Sequence, residues 1–105
     1  MAGKSRKEQL EEMLRDDPDD PFLWYGLAME QAGAGDHEAA LRSLDELRRR
    51  SPDYVPAYLQ AGQLLTRLDR VDEARAVYQV GIAVARRKGD EHAAGEMEGF
   101  LDGLD

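Results

Sequence analysis

Apolar residues recur along this chain with the period of an α-helix. In the first segment Leu10, Met13 and Leu14 stand three and four residues apart among charged residues, which places them on one face of a helix. Later segments repeat this spacing, and short runs rich in Pro, Gly or Asp separate them. The Val-rich run from 77 to 84 also follows the helical period rather than the alternation of a strand. The pattern predicts an all-α chain of about six helices.

Residues suited to helix ends mark the boundaries of these helices. Asp20 is followed by Pro21, so an N-cap side chain and a proline at the first helical position begin the second helix. Gly33-Ala34-Gly35 ends it, because glycine readily adopts the positive φ of a helix terminus. The later turns fall at Ser51-Pro52, Leu68-Asp69-Arg70 and Lys88-Gly89-Asp90. Since these connections are short, successive helices are antiparallel neighbours, which fits both a compact bundle and an open stack of helix pairs.

A shift of the sequence by 34 residues aligns residues of similar type. The aligned pairs are Trp24 with Tyr58, Ala28 with Gly62, Gly35 with Asp69, Ala40 with Ala74, and Leu44 with Tyr78. The reverse shift aligns the first helix with the second helix of a pair, since Leu10 falls on Leu44 and Pro18 falls on Pro52. Internal periodicity of this length favours stacked helix pairs over a bundle, with the first helix as half of a repeat.

This spacing and these residue types resemble the tetratricopeptide repeat, a family of paired helices. Departures are Gln31 and Leu65 at positions that usually hold an aromatic residue, Leu47 at a small-residue position, and Arg86 in place of the closing Pro. The last change predicts that the fifth helix continues towards Lys88. The resemblance implies a short right-handed α-solenoid of antiparallel helix pairs. Its expected organisation is a flexible N-terminus at 1–4 and one domain at 5–105, made of a half-repeat helix (5–17), two repeats (21–54 and 55–88) and a capping helix (89–105).

Composition narrows the function classes. The chain has 105 residues, a net charge of -8 and no cysteine, so cysteine nucleophiles and thiolate metal sites are excluded. The negative field disfavours nucleic acid as a partner. No apolar run approaches the roughly 18 residues of a membrane span, and the start lacks the apolar region of a signal peptide. We therefore expect a cytoplasmic protein with no membrane partner.

The chain offers few groups for catalysis or metal binding. His37 and His92 each stand at a helix start beside carboxylates, where adjacent residues point to different sides of the helix. The aspartates between 16 and 20 lack the spacing of a calcium loop, and Gly33-Ala34-Gly35 follows no strand as a phosphate loop would. We expect no catalytic residue, metal or cofactor. Two basic clusters, at 48–50 and 86–88, are interpreted as cations that complement helix dipoles; the alternative is an edge that attracts an acidic partner.

The second helix is apolar nearly all the way round. The repeat assigns Trp24, Leu27 and Ala28 to the core, which leaves other apolar residues for a second face. In the resembled family the first helix of each pair lines a concave groove. The expected partner-binding groove comprises Phe22, Tyr25, Met29, Leu59, Gln60, Gln63, Arg67 and Met97.

The leading functional hypothesis is a non-catalytic adaptor or scaffold that binds a peptide or a partner helix in this groove. One alternative is a self-associating protein that forms a homodimer through the same apolar surface, and another is a groove filled by the chain's own terminal helices. A regulatory domain of a nucleic-acid system and an enzyme rank below these. Some family members bind a C-terminal carboxylate with Lys, Asn and Arg; this chain has no Asn, so that specificity is not expected.

Overall fold

The computed structural model describes residues 3–104, which form helices and turns without any strand. The helices are α1 (Arg6–Asp16), α2 (Pro21–Gly33), α3 (His37–Arg50), α4 (Val55–Arg67), α5 (Val71–Arg87) and α6 (Glu91–Asp102). The all-α prediction is confirmed, as is the extension of α5 to Arg87. The flexible terminus predicted at 1–4 falls partly on Met1 and Ala2, which lie outside the described residues, as does Asp105 of the predicted domain.

Polar side chains cap the N-termini of several helices, including the Asp20 cap that the sequence predicts for α2. The carboxylate of Asp20 accepts a hydrogen bond from the backbone N–H of Phe22 at 2.9 Å, with Pro21 at the first helical position. Asp36 caps α3 in the same way through the N–H of Ala39. At α1 the Ser5 hydroxyl and the Glu8 carboxylate each accept an N–H from the other residue, which is a reciprocal capping box.

Three residues with positive φ end the helices: Gly35 (84°), Asp69 (60°) and Gly89 (76°). After each of the first two, a backbone N–H reaches back five residues, from Asp36 to the Gln31 carbonyl and from Arg70 to the Leu65 carbonyl, both at 2.9 Å. This is the hydrogen bond of a Schellman terminus. The predicted equivalence of Gly35 and Asp69 is therefore confirmed in backbone geometry.

The chain divides into two compact units, residues 1–51 (unit 1) and residues 52–105 (unit 2). In unit 1, α2 packs against both α1 and α3. Four leucines of α1 and α2 form its apolar cluster, with the half-buried Trp24 against them; they are Leu10, Leu14, Leu23 and Leu27. Met13, which the apolar spacing placed on the same face of α1, is 44% exposed and lies at the edge of that face.

In unit 2, α5 packs against both α4 and α6, and two glycines make this possible. A Cβ atom on Gly62 of α4 would lie 2.3 Å from the Tyr78 ring of α5. A Cβ atom on Gly81 of α5 would lie 2.6 Å from Cβ of Tyr58 and 2.7 Å from the sulfur of Met97. Both glycines therefore permit close helix packing that any larger residue would prevent.

The same aromatic contact occurs once in each unit. The indole N–H of Trp24 donates to the Pro18 carbonyl at 2.7 Å, and the hydroxyl of Tyr58 donates to the Pro52 carbonyl at 2.6 Å. The donors and the acceptors are both 34 residues apart in the sequence. Each aromatic residue thus fixes the turn that precedes its own helix.

An ion pair also recurs in each unit, with one difference in register. Arg50 at the end of α3 contacts Asp19 at 2.8 Å, and Arg87 at the end of α5 contacts Asp53 at 2.8 Å. The aspartates are 34 residues apart but the arginines are 37 apart. The difference matches the lengths of the two helices, 14 residues for α3 and 17 for α5. The longer helix places its terminal arginine about one turn later.

Candidate partner-binding surface

The side of α2 that faces away from its buried leucines carries apolar residues in unit 1. Phe22 is 66% exposed, and Tyr25 and Met29 are half-buried. Leu27 and Ala28 are buried on the other side, as the repeat predicts. The apolar character of α2 on two sides is therefore reflected in its exposure, and the described residues fully cover one of the two sides.

A partly exposed face of α4 belongs to unit 2. Leu59, Gln60 and Gln63 are half-buried, and Arg67 one turn beyond is exposed. The opposite side of α4 is buried and includes Tyr58. The four residues predicted on α4 thus share one accessible side of that helix, with an apolar position, two amides and a cation in order along it.

Met97 is the exception among the predicted surface residues. Its side chain is fully buried, and its sulfur lies in the space left by Gly81 of α5. The assignment of Met97 to a partner-binding surface is therefore wrong, because this side chain fills the contact between α5 and α6. Met97 and Phe100 are three residues apart on α6, yet Met97 is fully buried and Phe100 is 41% exposed, a difference that helical spacing alone does not reveal.

A pocket of about 340 Å³ lies in unit 2 and includes two of the predicted residues, Gln63 and Arg67. Its lining residues are Gln63, Thr66, Arg67, Tyr78, Gly99, Phe100, Gly103 and Leu104. Phe100 and Leu104 stand four residues apart near the end of the chain, and the sequence alone did not connect them with α4. Their spacing of four residues is the signal that would have suggested a shared lining.

Aromatic rings form the apolar wall of this pocket. The rings of Tyr78 and Phe100 stack with their centroids 6.0 Å apart and their planes 19° apart. Tyr78 is buried, whereas Phe100 is 41% exposed. Burial raises the pKa of the Tyr78 hydroxyl, against a smaller opposing effect of its hydrogen bond with Thr66. The phenol is therefore neutral at physiological pH and contributes packing rather than charge.

The basic clusters at the ends of α3 and α5 are engaged in ion pairs. Arg49 and Arg50 both contact Glu46, and their hydrogen bonds lower the pKa of its carboxyl to about 2. Arg86 contacts Glu98 at 2.6 Å and Arg87 contacts Asp53. These contacts support the interpretation as helix ends, since the positive charges are balanced by nearby carboxylates.

The residues considered for chemistry do not assemble into a site. His92 is exposed, with its Nε2 atom 3.8 Å from Glu96, and His37 lies at the start of α3. Asp19 and Asp20, considered for calcium, form an ion pair and a helix cap. Residues 3–104 contain no cluster of three or more His, Cys, Asp or Glu side chains suited to a metal ion. Over the same residues, each helix is too short or too polar to cross a membrane.

These features define the class of helical-repeat proteins, in which paired helices recur at a fixed spacing along the chain. The family model of the tetratricopeptide repeat matches residues 31–95, which is more than half of the chain. The chain therefore belongs to the tetratricopeptide repeat family. The resemblance noted in the sequence and its all-α fold are both confirmed.

Relatives and solved structures agree with this assignment. A TPR repeat-containing protein of Pseudomonas aeruginosa is 33% identical over 98 residues, with 93% of each chain covered. The solution structure of a tetratricopeptide repeat domain protein from Salinibacter ruber is 38% identical, with a TM-score of 0.80, and the match covers 84% of this chain and 89% of that one.

A third similar protein was solved with a partner. PcrH of Pseudomonas aeruginosa, in complex with the chaperone binding region of PopD, has a TM-score of 0.86. The match covers 93% of this chain and 74% of that one. Its sequence identity is 18%, so the likeness concerns the fold alone.

Proposed function

We propose that this protein is a non-catalytic interaction module, an adaptor or scaffold that binds a peptide or a helix of a partner protein. The partner contacts Phe22, Tyr25 and Met29 on α2 in unit 1, and Leu59, Gln60, Gln63 and Arg67 on α4 in unit 2. The observation that carries the proposal is the apolar second side of α2, where Phe22 is 66% exposed. Water contact at such a position is unfavourable, and a partner removes it.

The residue types on these faces suit recognition of a protein segment. Tyr and Met provide large contact areas that adapt to different side chains. The amides of Gln60 and Gln63 offer both donors and acceptors for the backbone of a bound segment. Because these residues stand on regular helices, binding requires little backbone rearrangement, which favours affinity.

The solved complex of PcrH supports a protein partner for this fold. PcrH was crystallised with a region of another protein, PopD. The present chain shares the fold with PcrH over 93% of its length. Recognition of a protein segment is therefore compatible with this arrangement of helices, and the identity of the segment depends on the side chains of this chain.

The proposal is tested by capture of a partner from native lysate with three baits: the wild type, the Tyr25→Ala/Leu59→Ala variant, and Val80→Ala as a matched control. Val80 is an exposed apolar residue of α5 outside the proposed surface. We expect the wild type and Val80→Ala to retain the same partner. The double variant is expected to capture at least tenfold less of that partner, since buried apolar contacts at an interface each contribute about 1–2 kcal/mol.

Thermal unfolding of each bait separates binding from folding. A double variant that keeps its melting temperature but loses the partner supports the proposal. Equal capture by all three baits contradicts it. A large fall in melting temperature for Tyr25→Ala/Met29→Ala would show that these residues belong to the core rather than to a binding face.

Self-association is the second candidate, and the exposure of Phe22 favours it as well. Analytical ultracentrifugation at micromolar concentration distinguishes the two functions. A monomer supports the adaptor. A stable dimer that dissociates on Phe22→Ala substitution would instead assign the surface to a second copy of the chain.

A further inference from the structure

The pocket of unit 2 combines an aromatic wall with a cation that forms no ion pair with any of the described residues. Phe100 presents an exposed ring, backed by the buried ring of Tyr78. Arg67 is exposed and forms no ion pair or hydrogen bond with any other residue in the range 3–104. Among the described residues that line the pocket, Arg67 alone carries a charge. An apolar surface therefore lies beside a positive charge that pairs with no carboxylate of residues 3–104.

Arg67 differs in this respect from the arginines at the ends of α3 and α5. Arg50 is bound by Glu46 and Asp19, and Arg87 is bound by Asp53. Their charges are balanced within the chain, whose net charge is -8. A guanidinium that pairs with no carboxylate in the described part of so acidic a chain is available to a carboxylate from outside, and its planar geometry suits bidentate binding of that group.

We propose that this pocket recognises an internal segment of the partner protein in which a large apolar side chain stands next to Asp or Glu. The apolar side chain packs on the ring of Phe100, and the carboxylate binds Arg67. The inference rests on the proposed function and specifies the chemistry of the partner at one place on it. The positive charge of Arg67 selects an acidic residue in the partner, and the aromatic wall selects an apolar residue beside it.

The volume of the pocket and its position on α4 favour binding of side chains from within a partner segment rather than binding of a chain terminus. A volume of about 340 Å³ is near the lower limit of roughly 300–1,000 Å³ for ligand pockets, so it holds one or two side chains. From Arg67 the accessible side of α4 continues through Gln63 to Gln60, about 10 Å along the helix. A bound segment that covers this side extends beyond the pocket. The absence of Asn from the chain also removes a residue that a terminal-carboxylate site of this family uses.

Two-dimensional NMR of the isotope-labelled full chain tests the inference with defined peptides. The probes are acetylated, amidated tetrapeptides of sequence Gly-Phe-Glu-Gly and Gly-Phe-Gln-Gly, and a Gly-Gly-Phe peptide with a free C-terminal carboxylate. We expect the Phe-Glu peptide to shift the amide signals of Arg67, Gly99 and Gly103. We expect the Phe-Gln peptide to bind about fivefold more weakly, because its amide cannot form the exposed ion pair with Arg67.

One substitution removes the cation of the pocket, and a second serves as its control. Arg67→Gln is expected to weaken binding of the Phe-Glu peptide about fivefold and to leave binding of the Phe-Gln peptide unchanged. Arg42→Gln, which removes another exposed arginine in unit 1, is the matched control and is expected to change neither. Both variants should retain the wild-type amide spectrum away from the substituted residue.

Several results would overturn the inference. These are equal binding of the Glu and Gln peptides, an equal loss in Arg42→Gln, absence of shifts around the pocket, or tighter binding of the free terminal carboxylate. None of them affects capture of a cellular partner through Tyr25 and Leu59. Conversely, if the Phe-Glu peptide binds as expected while no lysate protein depends on Tyr25 and Leu59, the proposed function fails and the pocket chemistry stands.

Discussion

Gln31 stands where the repeat usually has an aromatic residue, and its environment explains the replacement. Its side chain is 8% exposed, and its Oε1 atom accepts a hydrogen bond from the Ser43 hydroxyl at 2.6 Å. In unit 2 the corresponding residues, 34 positions later, are Leu65 and Val77, both buried and apolar. A buried polar pair in one unit thus takes the place of two apolar residues in the other.

This correspondence predicts coupled effects of substitution at the two positions. Gln31→Leu leaves the Ser43 hydroxyl without its partner, and Ser43→Val leaves the amide without one. We expect each single variant to lose about 1–3 kcal/mol of unfolding free energy. The double variant has the residue types found at these positions in unit 2. Its loss of unfolding free energy should be smaller than the sum of the two single losses by a coupling energy of about 0.5–3 kcal/mol.

Urea denaturation of the four proteins measures this double-mutant cycle. Additive losses would contradict the account, because they would mean that the Gln31–Ser43 hydrogen bond has no separate contribution to stability.

Helix packing in unit 2 depends on a residue without a side chain. The Tyr78 ring of α5 occupies the place where a Cβ atom of Gly62 on α4 would stand. Tyr78 is also stacked on Phe100 of α6, so it contacts its neighbours on two sides. The ring therefore has little freedom to move away, and α4 and α5 are held at close approach.

Gly62→Ala is expected to destabilise the protein by about 1–3 kcal/mol, the usual range for overpacking a core. Gly95→Ala is the matched control, since a Cβ atom at Gly95 of α6 meets no atom within 4 Å. There the substitution is expected to stabilise the helix by about 0.5–1 kcal/mol, because alanine loses less backbone entropy. Thermal unfolding of both variants checks the prediction; a stabilised Gly62→Ala variant would contradict the packing described.

The same local contacts recur in each of the two units. In each unit an aromatic side chain donates a hydrogen bond to the turn before its own helix, and a residue with positive φ follows the end of that helix. An aspartate in the turn forms an ion pair with the arginine that ends the following helix. These contacts lie within each unit and join residues close to one repeat length apart or less. Such repetition of local contacts is typical of helical-repeat proteins.

The helices and turns could be predicted because their determinants are local. Asp20, Asp36 and Gly35 act on residues within one turn of the backbone, and the shift of 34 residues identifies Asp69 as the equivalent of Gly35. The burial of Met97 and the pocket beside Arg67 could not be predicted in this way. Both depend on which side of α6 meets α4 and α5, and the period of a helix does not contain that information.

Site-specific photo-crosslinking in living cells tests whether the accessible side of α4 contacts a protein partner. A benzoylphenylalanine replaces Gln60, on the accessible side of α4, and in a second protein it replaces Gln79, an exposed glutamine of α5 outside the proposed surface. We expect a discrete crosslinked protein partner from position 60 and none of the same mass from position 79. The same product from both positions, or from position 79 alone, would contradict this expectation.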